Sequence, residues 1–290
     1  MNWIIFAFLT AICESIKDVF SKRGLRLTDE YIVSWAWSLC TLVFLSPLFF
    51  FIKIPDVDRA FWLILLCSGP LNLVANLLFI KAIKSSDLSL TIPMITFTPL
   101  FLLITSPLML HEFPAFFSLI GILLIVAGSY VLNVGEIKKN PLAPIQALLR
   151  QKGPRLMLLV AFIWSISGNL DKLGVRHSSA LFWPIAVNAF IAIGMIPVVL
   201  CKSRSDWKGI LQNAPNLVPI GFCIALGSSS QMLAISLTQV TYVISVKRMS
   251  VVFGVLFGTL FFKEKGLRER LAGAMLMVVG VVMITLLQAK

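Results

Sequence analysis

The chain of 290 residues is 58% hydrophobic and only 13% charged, with a mean hydropathy of +0.93. Soluble domains carry about 45–50% apolar and about 25% charged residues, so the composition excludes a water-soluble globule and a disordered chain. The formal charge of +12 does not indicate nucleic-acid binding, because no basic run is longer than two residues. Such an excess is expected at the cytoplasmic rim of a membrane protein.

In chain order, Met1–Phe8 lacks a basic lead and its apolar run continues into charged residues. The first segment is therefore expected to stay in the membrane and not to be cleaved. Stretches long enough to cross a bilayer recur at about 3–21, 31–52, 60–82, 88–110, 114–134, 156–173, 180–200, 217–237, 241–262 and 268–288. Their length and lack of two-residue alternation predict helices, giving an all-α membrane protein of ten transmembrane helices. Pro93, Pro99, Pro107, Pro184 and Pro197 fall inside these spans and are candidates for kinks. The connector 135–155, with Pro141, Pro144 and Pro154, separates a first unit (1–134) from a second (156–290); its middle fits a short interfacial helix. The five cysteines are scattered singly, and His111 and His177 sit at span ends. No metal or redox motif results, and no cofactor is expected.

The two units resemble each other. A shift of 150 superposes Ser15 on Ser165, Lys22 on Lys172 and Gly24 on Gly174; a shift of 152 superposes Glu112 on Glu264, Gly121 on Gly273 and Gly128 on Gly280. An odd number of helices per unit requires the second copy to enter the membrane upside down, making two inverted five-helix repeats. Loop charge tests this. In the first unit Lys22, Arg23, Arg26, Lys81 and Lys84 occupy loops 1 and 3, against Lys53 and Arg59 in loops 2 and 4. In the second unit the bias exchanges: Lys202, Arg204, Lys208, Lys263, Lys265, Arg268 and Arg270 occupy loops 7 and 9, against Lys172 and Arg176 in loops 6 and 8. The positive-inside rule then places odd loops in the cytoplasm and both termini outside.

The segment Ala225–Leu286 joins a small-residue helix leading into Tyr242–Ser245, a glycine-bearing helix ending in Phe262-Lys263-Glu264, and a closing helix with Gly273 near its start. It resembles the second repeat of the EamA family in the drug/metabolite transporter superfamily, and Lys81–Asn133 resembles the first, with His111-Glu112 and Gly121 in matching places. The resemblance implies a ten-helix metabolite transporter with both termini in the cytoplasm, opposite to the charge count. It also implies a proline early in helix 9. Pro99 occupies that place in the first repeat, but Val251 does in the second, just after Lys247 and Arg248.

Ionisable groups at membrane depth cost about 2.5–3.5 kcal/mol each on insertion scales, so they face a wet cavity or a partner. Glu14, Lys17, Asp18 and Lys22 follow helical spacing on helix 1. Glu14 lies about 16 Å along the axis from Trp3, near mid-membrane, at about 1.5 Å per residue. Glu14 or Asp18 is the candidate proton-coupling carboxylate; the alternative is local pairing, Glu14 with Lys17 and Asp18 with Lys22. Lys247 and Arg248 are adjacent and point about 100° apart. Arg248 continues the polar face of Thr241 and Ser245, and its planar fork suits a carboxylate or phosphate. Asn72, Asn76, Asn169, Asn188 and Gln231 are candidate substrate-hydrogen-bonding groups, or else helix-to-helix links. Trp164 and Trp183 are candidate pocket walls; Glu112 and Glu264 read as loop-end ion pairs. Gly254 and Gly258 fit either a homodimer contact or packing within the chain.

Together these readings predict a secondary transporter, an exporter or exchanger working by alternating access, in a bacterial inner (cytoplasmic) membrane. Lys17, Lys247 and Arg248 exceed Glu14 and Asp18 by one charge, which points to a small anionic or zwitterionic metabolite. No GxxxxGK[ST] motif is present, which argues against ATP as the driver. A lipid-like or amphipathic substrate, as for a flippase, and a non-transporting scaffold are the alternatives. No constellation for an intramembrane enzyme stands out, and besides the substrate only membrane lipids are expected as partners, not nucleic acid.

Overall fold

The structure, a computed structural model, describes residues 2–85, 91–132, 151–203, 207–254 and 267–287. Among these residues it is all-helical. In the first unit the helices are α1 (Asn2–Gly24), α2 (Glu30–Leu45), α3 (Arg59–Ser85), α4 (Thr98–Leu110) and α5 (Phe116–Leu132). In the second they are α6 (Lys152–Arg176), α7 (Phe182–Lys202), α8 (Trp207–Leu237), α9 (Val240–Lys247) and α10 (Leu267–Leu287). The connector 135–150, Gly258 and Glu264 lie outside the described residues.

Among the described residues, five segments are long and apolar enough to cross a membrane: Glu30–Phe50, Arg59–Ser85, Lys152–Arg176, Phe182–Lys202 and Lys208–Leu237. The 23 residues of α1 are long enough, but Glu14, Lys17, Asp18, Lys22 and Arg23 interrupt its hydropathy. Helix α8 begins at Trp207, about two turns before Pro215, and not after it as the sequence suggests. Pro215 and Pro219 are carried inside the helix, as membrane helices allow when neighbouring groups satisfy the freed carbonyls.

Two expected spans are broken instead of continuous. In the first unit a 3-10 segment, Ile92–Phe97, precedes α4, which opens with Pro99, a residue lacking the N–H an α-helix interior needs. In the second, α9 stops at Lys247, and the next turn tightens. Arg248 and Met249 donate their N–H groups to the carbonyls of Ser245 and Val246, three residues back. The 152-residue shift maps 92–97 onto 244–249, so the same breakpoint occurs in both units, with proline at one and without it at the other.

The contacts between units exchange partners in pairs. Helix α1 packs on α8 as α6 packs on α3, and α1 meets α9 as α6 meets α4; α2 meets α7, and α5 meets α10. The last pair shows the crossing direction. A Cβ at Gly121 would lie 2.7 Å from the carbonyl oxygen of Gly280, and one at Gly128 would lie 2.6 Å from that of Gly273. Ascending residues of α5 therefore meet descending residues of α10, so these equivalent helices run antiparallel with their backbones in contact. Small residues permit this close approach, which drives helix association where lipid is as apolar as side chains.

The loops sort by parity. On one rim Asp29 accepts from Ser203 (2.6 Å), and Asn213 donates to the carbonyl of Gly24 (2.9 Å) and to Thr28 (2.7 Å). On the other, Asp58 contacts His177 (2.8 Å), and Glu112 pairs with Lys172 and accepts the N–H of Val240 (3.2 Å). His111, the left-handed residue capping α4 (φ 56°), turns the chain so that Glu112 reaches across to the second unit. The Asp58 carboxyl is held below the usual carboxylate range, first by the backbone N–H of Phe61 and then by His177. Large apolar side chains such as Ile5, Phe50, Leu108 and Leu200 cover the outer surface, as lipid contact requires.

Candidate functional site

Between the units lies a polar cavity of about 160 Å³. Its walls come from α1, α2, α3 and α4 of one unit and from α6, α7, α8 and the end of α9 of the other; among the described residues none of α5 or α10 lines it. Of the candidates read from sequence, Glu14, Lys17, Asn72, Asn76, Asn188, Gln231, Lys247 and Arg248 line it together, with Trp164 and Trp183 as walls.

The charges are unequally satisfied. Lys17, 3% exposed, donates to Glu14 Oε1 (2.5 Å) and sits 3.2 Å from Asp18 Oδ1. Its ammonium also lies 4.3 Å from the Trp37 ring centroid and 5.0 Å from that of Phe79, within the range of a cation–π contact. Asp18 stands behind Lys17 and is not a lining residue; it pairs with Lys17, not Lys22 as spacing alone allowed. Lys247 is 3.2 Å from Glu14 Oε2 and donates to Gln231 Oε1 (2.9 Å). Glu14 is thus shared by two lysines.

Arg248 differs. It is 2% exposed and donates from Nη2 to Thr98 Oγ1 (3.0 Å), at the start of α4 in the opposite unit. Its Nε has no partner, and among the described residues no carboxylate lies within ion-pair distance. The tight turn after α9 turns this side chain away from Lys247, towards α4, in keeping with the angular separation of adjacent helical residues.

The amide residues divide by their bonds. Asn72 donates to Ser68 and to Ser167 Oγ (2.6 Å), joining α3 to α6 at the cavity wall. Asn188 donates to the Pro184 carbonyl (2.8 Å). Asn76 has no protein hydrogen-bond partner among the described residues. Asn169 is fully buried and is not a lining residue; it accepts from Ser106 Oγ (2.7 Å) and ties α6 to α4. Gly254 faces Ser15 of α1, 3.5 Å from where a Cβ would stand, so it packs within the chain.

Sequence reasoning missed Asp171. This buried carboxylate lines the cavity and accepts from the Trp183 indole Nε1 (2.9 Å). Its signal, a lone acidic residue near the end of an apolar span, was masked by the basic residues that follow. Gly174, one turn further along α6, lets the Trp183 ring lie flush on the helix; a Cβ there would be 2.3 Å from Trp183 Cδ2. Counting Asp171 removes the expected excess of one positive charge: three cations now face three carboxylates.

A helical shell that is apolar outside, folded around a polar cavity walled by both units, fits a membrane transporter. The chain belongs to the EamA-like transporter family, whose sequence profile matches residues 1–134 and again 151–286. A protein of Archaeoglobus fulgidus described as an uncharacterized transporter is 22% identical over 293 residues, covering 98% of each chain. A protein of known crystal structure superposes with a TM-score of 0.75 at 13% identity, covering 99% of this chain and 97% of that one. This last likeness concerns the fold alone.

Proposed function

We propose that the protein is a secondary transporter that moves a small anionic or zwitterionic metabolite by alternating access, with Arg248 as the cationic anchor for its anionic group. The observation that carries this reading is a buried guanidinium on the wall of a cavity between the units, with an unpartnered Nε and, among the described residues, no carboxylate within ion-pair distance. Buried charges are costly and are retained with a partner or for a ligand. A planar fork left unpaired is suited to a carboxylate or phosphate arriving from outside. A non-transporting scaffold would have its charges internally satisfied; here those of Lys17 and Lys247 are, and that of Arg248 is not.

Ten membrane-crossing segments in two inverted repeats supply the mechanical part. Rocking about the cavity would open one rim while the other stays tied, Asn213 to Gly24 on one side and Glu112 to Lys172 on the other. The breaks at Ile92–Phe97 and at Arg248 replace α-helix by tighter three-residue turns next to Thr98 and Arg248 of the cavity wall, where irregular backbone is tolerated at membrane depth. Glu14, shared between Lys17 and Lys247, is the group through which protonation would rearrange the site; Asp18 acts through Lys17. We place the protein in a bacterial cytoplasmic membrane.

The test is uptake or counterflow in proteoliposomes containing wild type or Arg248→Ala. Transport lost in the variant, with an unchanged unfolding transition, supports the assignment. Transport that persists at the wild-type rate removes Arg248 from the site.

A further inference from the structure

We infer that the cavity recognises a zwitterion through two separate poles: its anionic end on Arg248 and Thr98, and a substrate ammonium on Asp171 of α6. This rests on the transport reading and narrows its substrate class.

The argument is one of unpaired charge. Of the six ionic groups at the site, four satisfy one another: Glu14 takes Lys17 and Lys247, and Asp18 takes Lys17. The two left over have opposite sign and sit on different helical segments of the second unit. Arg248 follows α9 and faces α4; Asp171 is on α6 and is held by Trp183 of α7. The nearer lysine does not neutralise Asp171, because Lys247 is committed to Glu14 and Gln231. Among the described residues no cation lies within ion-pair distance of Asp171. The indole bond uses Oδ1 alone, and among the described residues Oδ2 has no protein donor, so Asp171 lines the cavity with one oxygen open to it.

An ionised carboxylate is acceptor-only, so the ligand group that completes Asp171 must be a donor, and a charged one suits it best. With all six groups counted, the site is neutral. A simple anion would leave Asp171 unpaired, and a simple cation would leave Arg248 unpaired. A molecule carrying both charges satisfies both. Asn188 and Asn76, lining the same space, are available for the neutral part.

The experiment uses the full-length detergent-solubilised protein and thermal stabilisation by a chain-length series. The zwitterions are alanine, β-alanine, γ-aminobutyrate and 5-aminovalerate; the controls are propionate, butyrate and valerate, and the corresponding alkylamines. We expect at least one zwitterion to bind about ten-fold or more tighter than its matched acid and amine, since a hydrogen bond to a charged group contributes about 1.5–3 kcal/mol. In Asp171→Asn that zwitterion should fall to the level of its matched acid, and in Arg248→Ala both should be lost. Equal binding of zwitterion and acid by wild type overturns the ammonium pole while leaving the anion site intact, and it needs no variant that must fold. A preference that survives in Asp171→Asn overturns it too. Stabilisation by amines alone, or silence across the series at millimolar concentrations, overturns the transport-site reading along with it.

Discussion

Lys17→Met and Arg248→Met remove buried cations of one site, yet they should change stability by very different amounts. Lys17 is bonded to Glu14 at 2.5 Å, faces Asp18 at 3.2 Å and lies over Trp37 at 4.3 Å. Methionine retains much of its length, so the substitution isolates the charge. It leaves Asp18 without a cation, whereas Glu14 keeps Lys247 at 3.2 Å. Removing one partner of a buried pair costs about 3–5 kcal/mol; with Glu14 half-compensated, we expect about 3 kcal/mol. Arg248→Met forfeits one hydrogen bond to Thr98, about 1.5–3 kcal/mol. It also relieves a buried charge without a counter-ion, about 2.5–3.5 kcal/mol on insertion scales. The two nearly cancel, and the net change should stay within about 1 kcal/mol of zero. Equilibrium unfolding in mixed micelles, without ligand, measures both. Equal destabilisation by the two variants would mean that Arg248 is a member of the ion-pair network, and the argument for a ligand-bearing guanidinium would fall.

Two further outcomes follow from packing and from the rim. Gly121→Ala and Gly128→Ala drive a methyl to 2.7 and 2.6 Å from backbone carbonyls of α10; each should cost about 1–3 kcal/mol, read as a lowered unfolding midpoint, and no loss in either would contradict the antiparallel seam. At Asp58 the folded carboxyl lies below its ordinary value, so its contribution is present above the unfolded value of about 3.9 and is lost as pH falls through the lowered folded value. The unfolding midpoint of wild type should therefore exceed that of Asp58→Asn at about pH 5, and the margin should shrink as pH falls through the carboxylate range; a margin that grows in acid would refute the sign.

Much of the fold was legible because membrane insertion imposes a coarse and redundant code. Span length, loop charge and matched glycines all concern separations along the chain; among the described residues, five segments of spanning length and the seam of Gly121 and Gly128 against α10 are found. The parity of the loops is realised as Asp29 with Ser203 on one rim and Asp58 with His177 on the other. What sequence misread was the interior of individual spans. The expected span begins at 217, but α8 starts at Trp207 and carries Pro215 and Pro219 inside it. Nothing near Arg248 announces a break, since the position that holds Pro99 in the first unit holds Val251 in the second. Hydropathy averages over a window and cannot register a hydrogen bond moved from four residues back to three.

The site was legible in part for the same reason that its logic was not. Charges inside apolar spans are conspicuous one at a time, which is how Glu14, Lys17, Lys247 and Arg248 stand out. Pairing is a property of two helices, and it decides the chemistry. Glu14 and Asp18 read alike along α1, yet one faces the cavity and the other backs a lysine. Lys247 and Arg248 are neighbours, yet the first is neutralised by α1 and α8 and the second reaches α4 with its charge unspent. Asp171 and Lys172 are adjacent on α6 and point about 100° apart: Lys172 meets Glu112 and the Thr238 carbonyl on the rim, and Asp171 meets the cavity and the Trp183 indole. Adjacent residues of opposite charge therefore serve different places, which a reading of charge along one span could not separate.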